Sequence, residues 1–80
     1  MSEVLESLLE VVKLVVDEPD SAEVTVRPDG QTTVFEFKVA QDDLGKVIGR
    51  QGRTARAFRS LLMARGSRDG HRYELEILDN

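Results

Sequence analysis

Cysteine is absent from this sequence, histidine occurs once, and long apolar runs are missing. Without cysteine the chain can form neither a disulfide framework nor a thiolate metal site, and one histidine cannot build a histidine cluster. Short apolar runs argue against a signal peptide and against a membrane-spanning helix. We therefore expect a soluble protein of the reducing cytoplasm that has no membrane partner and needs no metal or cofactor.

The net charge of −4 hides a strong segregation of charge along the chain. Residues 1–43 carry eleven acids and three bases, whereas residues 44–72 carry eight bases and one acid. A polyanion would meet this basic segment locally, while the acidic remainder would suppress indiscriminate binding. Charge alone leaves two interpretations open, namely a polyanion-binding surface and an ordinary solvated helix face.

Eighty residues are enough for one small domain, which we expect to span the whole chain, residues 1–80. Apolar residues at helical spacing predict a first amphipathic helix from Ser2 to about Asp17, capped by Ser2 and stopped by Pro19. The apolar stripe consists of Leu5, Leu8, Leu9, Val12, Val15 and Val16. Valine is a weak helix former, so this helix should be stabilised mainly by packing on a sheet.

Two segments of alternating residues, one on each side of Pro28-Asp29-Gly30, predict an antiparallel hairpin. In the second strand, residues 32–39, Phe35 and Phe37 share one face. We expect both rings to lie in the core under the helices, and not on an outer face where aromatic rings can stack on bases.

The rest of the chain predicts two helices and a last strand. Asp42 or Asp43 should cap a helix of about two turns, and another helix should run from Arg53 to Arg65. The predicted buried side of that helix consists of Ala57, Phe58, Leu61, Leu62 and Ala64. Residues 66–70 have loop composition, and residues 72–78 alternate as a strand does. Two helices between the last two strands favour a parallel crossover, so the predicted fold is α+β, a three-stranded mixed sheet with three helices on one face.

A glycine-rich segment separates the two later helices: Gly45-Lys46-Val47-Ile48-Gly49-Arg50-Gln51-Gly52-Arg53. Gly49 and Gly52 permit backbone angles that other residues avoid, and the first turn of the next helix offers unpaired N–H groups to an anion. Arg50 and Arg53 place cations at the same point, which a purely structural connector would not need. The segment therefore predicts a phosphate clamp.

The sequence Val47-Ile48-Gly49-Arg50-Gln51-Gly52, after a strand and between two helices, resembles the V-I-G-x-x-G signature of KH domains. The helix-first order of elements is similar to the type II arrangement of bacteria. Residues 43–55, Asp-Leu-Gly-Lys-Val-Ile-Gly-Arg-Gln-Gly-Arg-Thr-Ala, together with the acidic first helix, resemble the small bacterial KhpA proteins. The resemblance covers essentially the whole chain and implies a single type II KH domain.

This resemblance implies binding of single-stranded RNA, with roughly four nucleotides clamped between the glycine loop and the loop before the last strand. Val47 and Ile48 would form an apolar groove under the bases, and residues 66–71 would form the opposite wall. Many KH domains carry a large aliphatic residue where this chain has Ala55. The expected RNA-binding residues are Lys46, Val47, Ile48, Gly49, Arg50, Gln51, Gly52, Arg53 and Arg56.

The resemblance also implies a biological setting that the residues themselves do not reveal. KhpA proteins are cytoplasmic RNA chaperones or post-transcriptional regulators, linked to cell shape and cell wall biogenesis. They pair with themselves or with a larger KH-domain protein, KhpB. A homodimer or such a heterodimer is therefore an implied assembly.

The residues do not indicate an enzyme. The glycine loop lacks the Gly-Lys-Ser/Thr ending of a nucleotide-binding P-loop and is preceded directly by a helix instead of a strand, so we expect no small-molecule substrate. Asp42 and Asp43 are adjacent, and their position suits a helix cap better than catalysis or magnesium binding. One alternative function stays open, a KH-fold adaptor that binds other proteins through the apolar edges of its helices.

Overall fold

The computed structural model describes residues 2–79, which form three α-helices and three β-strands in the order α1-β1-β2-α2-α3-β3. The helices are α1 (Ser2–Val15), α2 (Leu44–Ile48) and α3 (Arg53–Asp69), and the strands are β1 (Glu23–Asp29), β2 (Thr32–Lys38) and β3 (Arg72–Ile77). Short 3-10 turns lie at Pro19–Ser21, Gln41–Asp43 and Arg50–Gly52. None of the helices within residues 2–79 has the length and apolarity needed to cross a membrane.

The three strands form one mixed sheet in the order β1-β2-β3. β1 and β2 are antiparallel, with Val26 opposite Phe35, whereas β2 and β3 are parallel, with Phe35 opposite Leu75. The parallel pairing is possible because α2 and α3 carry the chain back to the end of the sheet where β2 began. The predicted α+β fold is confirmed, and β3 is left at one edge of the sheet.

The core lies between the sheet and the helices, and aromatic rings occupy its centre. Phe35 and Phe37 are fully buried. Phe35 meets Tyr73 edge-on with ring centroids 5.1 Å apart, and Phe37 meets Phe58 in the same way at 5.0 Å. The prediction that both phenylalanines are core residues is confirmed, so neither ring is free to stack on a base.

Helix α1 is slightly shorter than predicted and buries a shifted stripe. It ends at Val15. The helix buries Val4, Leu8 and Val12 in the core, and Val16, which follows the helix, is buried there too. Leu5 and Leu9 are only partly buried. Val4 was missed although it precedes Leu8 by one helical turn, which is the spacing that marks a shared face. The predicted cap by the Ser2 side chain lies outside the groups that the structure describes.

Helix α3 runs to Asp69, so the prediction of a loop at residues 66–70 is wrong except at its end. Gly66 is buried in the helix, and a β-carbon there would lie 2.8 Å from the carbonyl oxygen of His71. Glycine at this position therefore serves close packing of α3 on the start of β3. Arg65 also donates from its Nε to Asp69 at 3.0 Å, which ties the last turn of the helix together.

The buried side of α3 is also rotated relative to the prediction. Phe58 and Leu62 are buried as expected, but Leu61 is 63% exposed. The residues that α3 buries are Ala55, Phe58, Leu62 and Gly66, whereas Ala57 and Ala64 are exposed. Alanine and glycine carry too little apolar surface to reveal the stripe, so the larger Leu61 misled the prediction.

Asp43 does not cap α2 with its side chain, which corrects another prediction. Its buried carboxylate accepts hydrogen bonds from the main-chain N–H groups of Glu18, at 3.0 Å, and Asp17, at 3.2 Å. Burial acts to raise the pKa of Asp43, but these hydrogen bonds and the nearby Lys46 ammonium hold that pKa below its ordinary value. Asp43 thereby fastens the end of α1 to the start of α2.

Candidate nucleic-acid interface

A groove of about 500 Å³ lies between α3 and the edge strand β3, and the glycine segment forms one of its ends. Most of its lining is apolar or small. The lining residues are Leu44, Ile48, Gly52, Ala55, Arg59, Leu75, Glu76, Ile77 and Asp79. We call this feature the groove. A wall of helix on one side and an unpaired strand edge on the other give it the shape of a slot for an extended chain.

The loop at the end of the groove contains two glycines, and each position favours glycine for a different physical reason. Gly49 has φ 79° and ψ 169°, a combination that only glycine adopts readily, and it also packs tightly on Thr54. Gly52 has the left-handed φ of 74°, and no atom of the described residues, 2–79, lies within 4 Å of the place where its β-carbon would be. Gly49 is therefore fixed by packing, whereas Gly52 leaves open space at the groove.

The tip of the loop presents main-chain donors. The N–H of Gly49 donates to Gly45 at 2.8 Å, and the N–H of Gly52 donates to Gly49 at 3.0 Å. Within residues 2–79, the N–H groups of Arg50 and Gln51 have no hydrogen-bond partner. Gln51 holds a left-handed conformation, φ 58° and ψ 23°, although it is not glycine. The free donors thus lie at the loop tip and offer an anion two N–H groups.

Several arginine side chains of the basic segment have no acidic partner within residues 2–79, and Arg50 and Arg53 are the ones that adjoin this tip. Lys46 and Arg65 are the two bases of residues 44–72 that form ion pairs. In the part of the chain that the structure describes, the other six have no acid within ion-pair distance: Arg50, Arg53, Arg56, Arg59, Arg68 and Arg72. Arg53 donates to the Gln51 side chain at 3.2 Å. Most of the predicted basic segment is therefore free to meet an anion.

Lys46 was predicted to bind RNA, but its side chain is turned away from the groove. Its ammonium lies 3.0 Å from Asp17 and 3.6 Å from Asp43, and the hydrogen bond to Asp17 raises the pKa of Lys46. On the short helix α2, Leu44 and Ile48 face the groove, one turn apart. Lys46 lies between them in sequence and points toward the end of α1. It stabilises the helix that carries the loop and does not line the groove.

Val47 and Ile48 also have separate places. Val47 is fully buried in the core, so it supports the groove from beneath, and the prediction that it shares the groove surface with Ile48 is corrected. Ile48 is 41% exposed and lines the groove. Ala55 lies in the lining with little exposed surface. Its short side chain leaves depth where a large aliphatic residue would fill the floor.

Arg59 lines the groove but was not among the predicted site residues. It also lines the smaller cavity that continues the groove, together with Met63 and Tyr73. Ala55, Arg59 and Met63 follow one another at intervals of one helical turn, so the sequence places them on one side of α3 but does not show that β3 lies opposite that side. The wall that faces α3 is β3 itself. Residues 66–71, predicted as that wall, are the last turn of α3 and the short connection to β3.

The edge of β3 offers hydrogen-bonding groups along the groove. The N–H of Leu78 donates to Phe37 in β2 at 2.9 Å. Because successive residues of a strand direct their main-chain groups to opposite sides, the N–H and C=O of Leu75 and Ile77 point to the open edge. Both residues line the groove. Donors and acceptors therefore stand beside an apolar floor.

Comparison with known proteins agrees with this geometry. The sequence profile of the family described as "KhpA/KhpB, KH domain" matches residues 6–77. A curated relative named RNA-binding protein KhpA, from Borreliella burgdorferi, is 45% identical over 69 residues, which are 86% of this chain and 84% of the relative.

Two further curated proteins with the same name are similar over nearly their full length. The protein of Halalkalibacterium halodurans is 41% identical over 76 residues, 94% of this chain and 100% of the relative. The protein of Leifsonia xyli is 42% identical over 74 residues, 92% of this chain and 95% of the relative. No solved structure gives a significant match. The chain belongs to the KhpA/KhpB family of KH domains, which is a family of binding domains and not of enzymes.

Proposed function

We propose that this chain, as one type II KH domain spanning residues 1–80, binds single-stranded RNA in the groove. The observation that carries the proposal is the position of free cations and free N–H groups at one end of an apolar slot. The name of the relatives, RNA-binding protein KhpA, supports RNA as the ligand. Single-stranded RNA fits because its bases are available to a narrow slot, whereas those of a duplex are paired.

The sugar–phosphate backbone lies against the loop in this proposal. Arg50 and Arg53 flank the tip, and the N–H groups of Arg50 and Gln51 have no hydrogen-bond partner within residues 2–79. Arg56 follows Arg53 on the exposed face of α3. Phosphate oxygens accept from both guanidinium and main-chain donors, so these groups hold the backbone without reading its sequence.

The bases enter the slot behind the backbone. Ile48, Ala55 and Leu75 provide an apolar surface for their faces. The main-chain groups of Leu75 and Ile77 stand where base edges arrive and can pair with donors and acceptors there. In this proposal the rim of the groove contacts the sugar–phosphate backbone of each nucleotide, and the inside of the groove contacts its base.

The proposed cellular role is that of a cytoplasmic RNA chaperone or post-transcriptional regulator that affects cell shape and cell wall biogenesis. A small domain with one short slot contacts only a few nucleotides at a time. It is therefore suited to transient remodelling of RNA more than to permanent coating of a long strand.

The test is a charge reversal at the loop tip with a matched control. Arg50→Asp with Gln51→Asp places two carboxylates beside the proposed phosphate position. Lys13→Asp with Gln41→Asp changes the net charge equally, at exposed sites that do not line the groove. Binding of a labelled RNA octamer should be lost in the first variant and retained in the second, with both folded by circular dichroism. Retained binding in the folded loop variant would overturn the clamp.

A second surface supports an adaptor function, which the chain would have in addition to RNA binding. An apolar cavity of about 260 Å³ lies between α1 and α3, with Val11 and Leu61 at its mouth. Leu14, 85% exposed, extends the apolar surface along α1. We propose that another KH-domain chain docks here, either a second copy or a larger KhpB-like protein. Leu61 and Arg59 lie on opposite flanks of α3, so a partner and RNA can bind together.

The docking proposal has its own test. Leu61→Glu places a charge in the apolar surface, whereas Ser60→Glu adds the same charge on the outer face of α3. Sedimentation should show an assembly for the unaltered chain, alone or mixed with a larger KH partner, that Leu61→Glu abolishes and Ser60→Glu preserves. The proposal would be contradicted if the unaltered chain were a monomer and did not bind the larger KH partner.

A further inference from the structure

We propose that Arg59 reads a base inside the groove and that it makes the groove prefer guanine at that position. This inference rests on the proposed RNA binding and concerns the same site. It separates Arg59 from the other free arginines. Arg50 and Arg53 adjoin the loop tip, Arg56 lies on the exposed face of α3, and Arg68 and Arg72 lie at the far end of α3 and the start of β3. Among residues 2–79, Arg59 is the one cationic residue of the groove lining.

The position of Arg59 places its guanidinium among bases. It follows Ala55 by one turn of α3 and faces Leu75 across the slot, and it lines both the groove and its continuation of about 140 Å³. Arg59 is exposed and lines the groove, so its guanidinium is accessible to whatever occupies the apolar floor. The backbone of the RNA is held at the rim, so the group that reaches Arg59 is a base.

The donors of Arg59 are free for this contact. Within residues 2–79, no acid lies within ion-pair distance of it. The acids of the lining are Glu76 and Asp79, with Glu74 in the continuation. The Glu76 carboxylate accepts from Arg27 at 3.0 Å, so this acid already has a cationic partner. An unpaired fork of donors beside an apolar floor can be satisfied by a ligand that supplies two adjacent acceptors.

The geometry of the fork selects among bases. Guanidinium donates two parallel hydrogen bonds, and guanine presents O6 and N7 as adjacent acceptors. Adenine has a donor beside its N7, so it can accept only one bond and opposes the second. The short side chain of Ala55 leaves depth next to Arg59, which accommodates the two rings of a purine. Acceptor pattern and room together point to guanine.

The test uses labelled uridine octamers that carry one central guanosine, adenosine, cytidine or 7-deazaguanosine, with binding measured by fluorescence anisotropy. The unaltered chain should bind the guanosine octamer about tenfold more tightly than the adenosine or all-uridine octamer, the size of one bidentate contact. The 7-deazaguanosine octamer, which lacks only the N7 acceptor, should lose most of that preference.

Two variants complete the design. Arg59→Lys keeps the charge but lacks the fork, so it should bring the four standard octamers to within about twofold of one another. Arg56→Gln removes a neighbouring charge on the outer face, so it should weaken all octamers alike and keep the preference for guanosine. A preference that survives in Arg59→Lys, an equal affinity of the unaltered chain for all octamers, or a preference for cytidine would overturn the role of Arg59. Failure to bind any octamer would overturn the proposed RNA binding as well.

Discussion

Gly49 and Thr54 approach so closely that a β-carbon on Gly49 would lie 2.7 Å from the Cβ of Thr54. The contact joins the last residue before the loop tip to the first turn of α3. It fixes the distance between α2 and α3, and with it the direction in which Arg50 and Gln51 project. The loop is therefore a packed connection and not a flexible flap.

Gly49→Ala should destabilise the fold by roughly 2–4 kcal/mol, because it combines a disfavoured backbone conformation with a clash. Urea denaturation followed by circular dichroism measures this loss. Gly52→Ala is the matched variant. It should cost only about 1–2 kcal/mol, because the left-handed φ is disfavoured but the space is open. Equal losses in the two variants would show that Thr54 does not constrain the loop.

Two glycines inside helices should respond to alanine with opposite signs. Gly45→Ala should stabilise the fold by about 0.5–1 kcal/mol, because alanine is the better helix former and nothing lies within 4 Å of the new β-carbon. Gly66→Ala should destabilise it by about 1–3 kcal/mol, because the β-carbon meets the main chain of His71 and Tyr73. The same denaturation experiment decides both signs. Stabilisation by Gly66→Ala would contradict the close packing of α3 on β3.

Asp43→Asn should lower the melting temperature at neutral pH and change the acid response of the fold. The folded pKa of Asp43 lies below its ordinary value of about 3.8, so its stabilising contribution is complete above that pH and is lost as the pH falls through the folded pKa. The difference in melting temperature between the unaltered chain and Asp43→Asn should therefore be large at pH 7 and shrink below about pH 3.8.

A difference in melting temperature that stays constant from pH 7 to pH 3 would contradict this account of Asp43. Asp69 and Glu36 also have lowered pKa values, held by Arg65 and Arg27 respectively. They contribute to acid sensitivity in both proteins and cancel in the comparison. Asn at position 43 keeps the size but has a single acceptor oxygen, so the variant removes the charge together with one of the two main-chain hydrogen bonds.

Sequence patterns predicted the elements where large side chains mark a face, as Phe35 and Phe37 do in β2. The sequence patterns failed to predict the helix face where small residues make the packing contacts. Gly66 looked like a loop residue because glycine usually interrupts helices, and only the tertiary packing of α3 on β3 explains its place there. The end of α3 and its rotation were missed for this one reason.

The site shows the same division between local and tertiary information. The glycine spacing located the loop and its arginines, since that signal is local. The pairing of Lys46 with Asp17 and Asp43 depends on contacts between distant segments, which no local pattern reports. Arg59 was visible as a basic residue, but its place in the groove depends on β3 lying beside α3.

The dependence of RNA affinity on salt tests the central claim most directly. Binding of a uridine octamer at several salt concentrations gives the number of phosphates that the chain neutralises. If three or four phosphates contact the free arginines, the logarithm of the association constant should fall with a slope of about −2 to −3 against the logarithm of salt concentration. Arg53→Gln should reduce that slope by about 0.7, and Lys38→Gln, on the opposite face of the sheet, should leave it unchanged. A slope near zero would contradict the phosphate clamp.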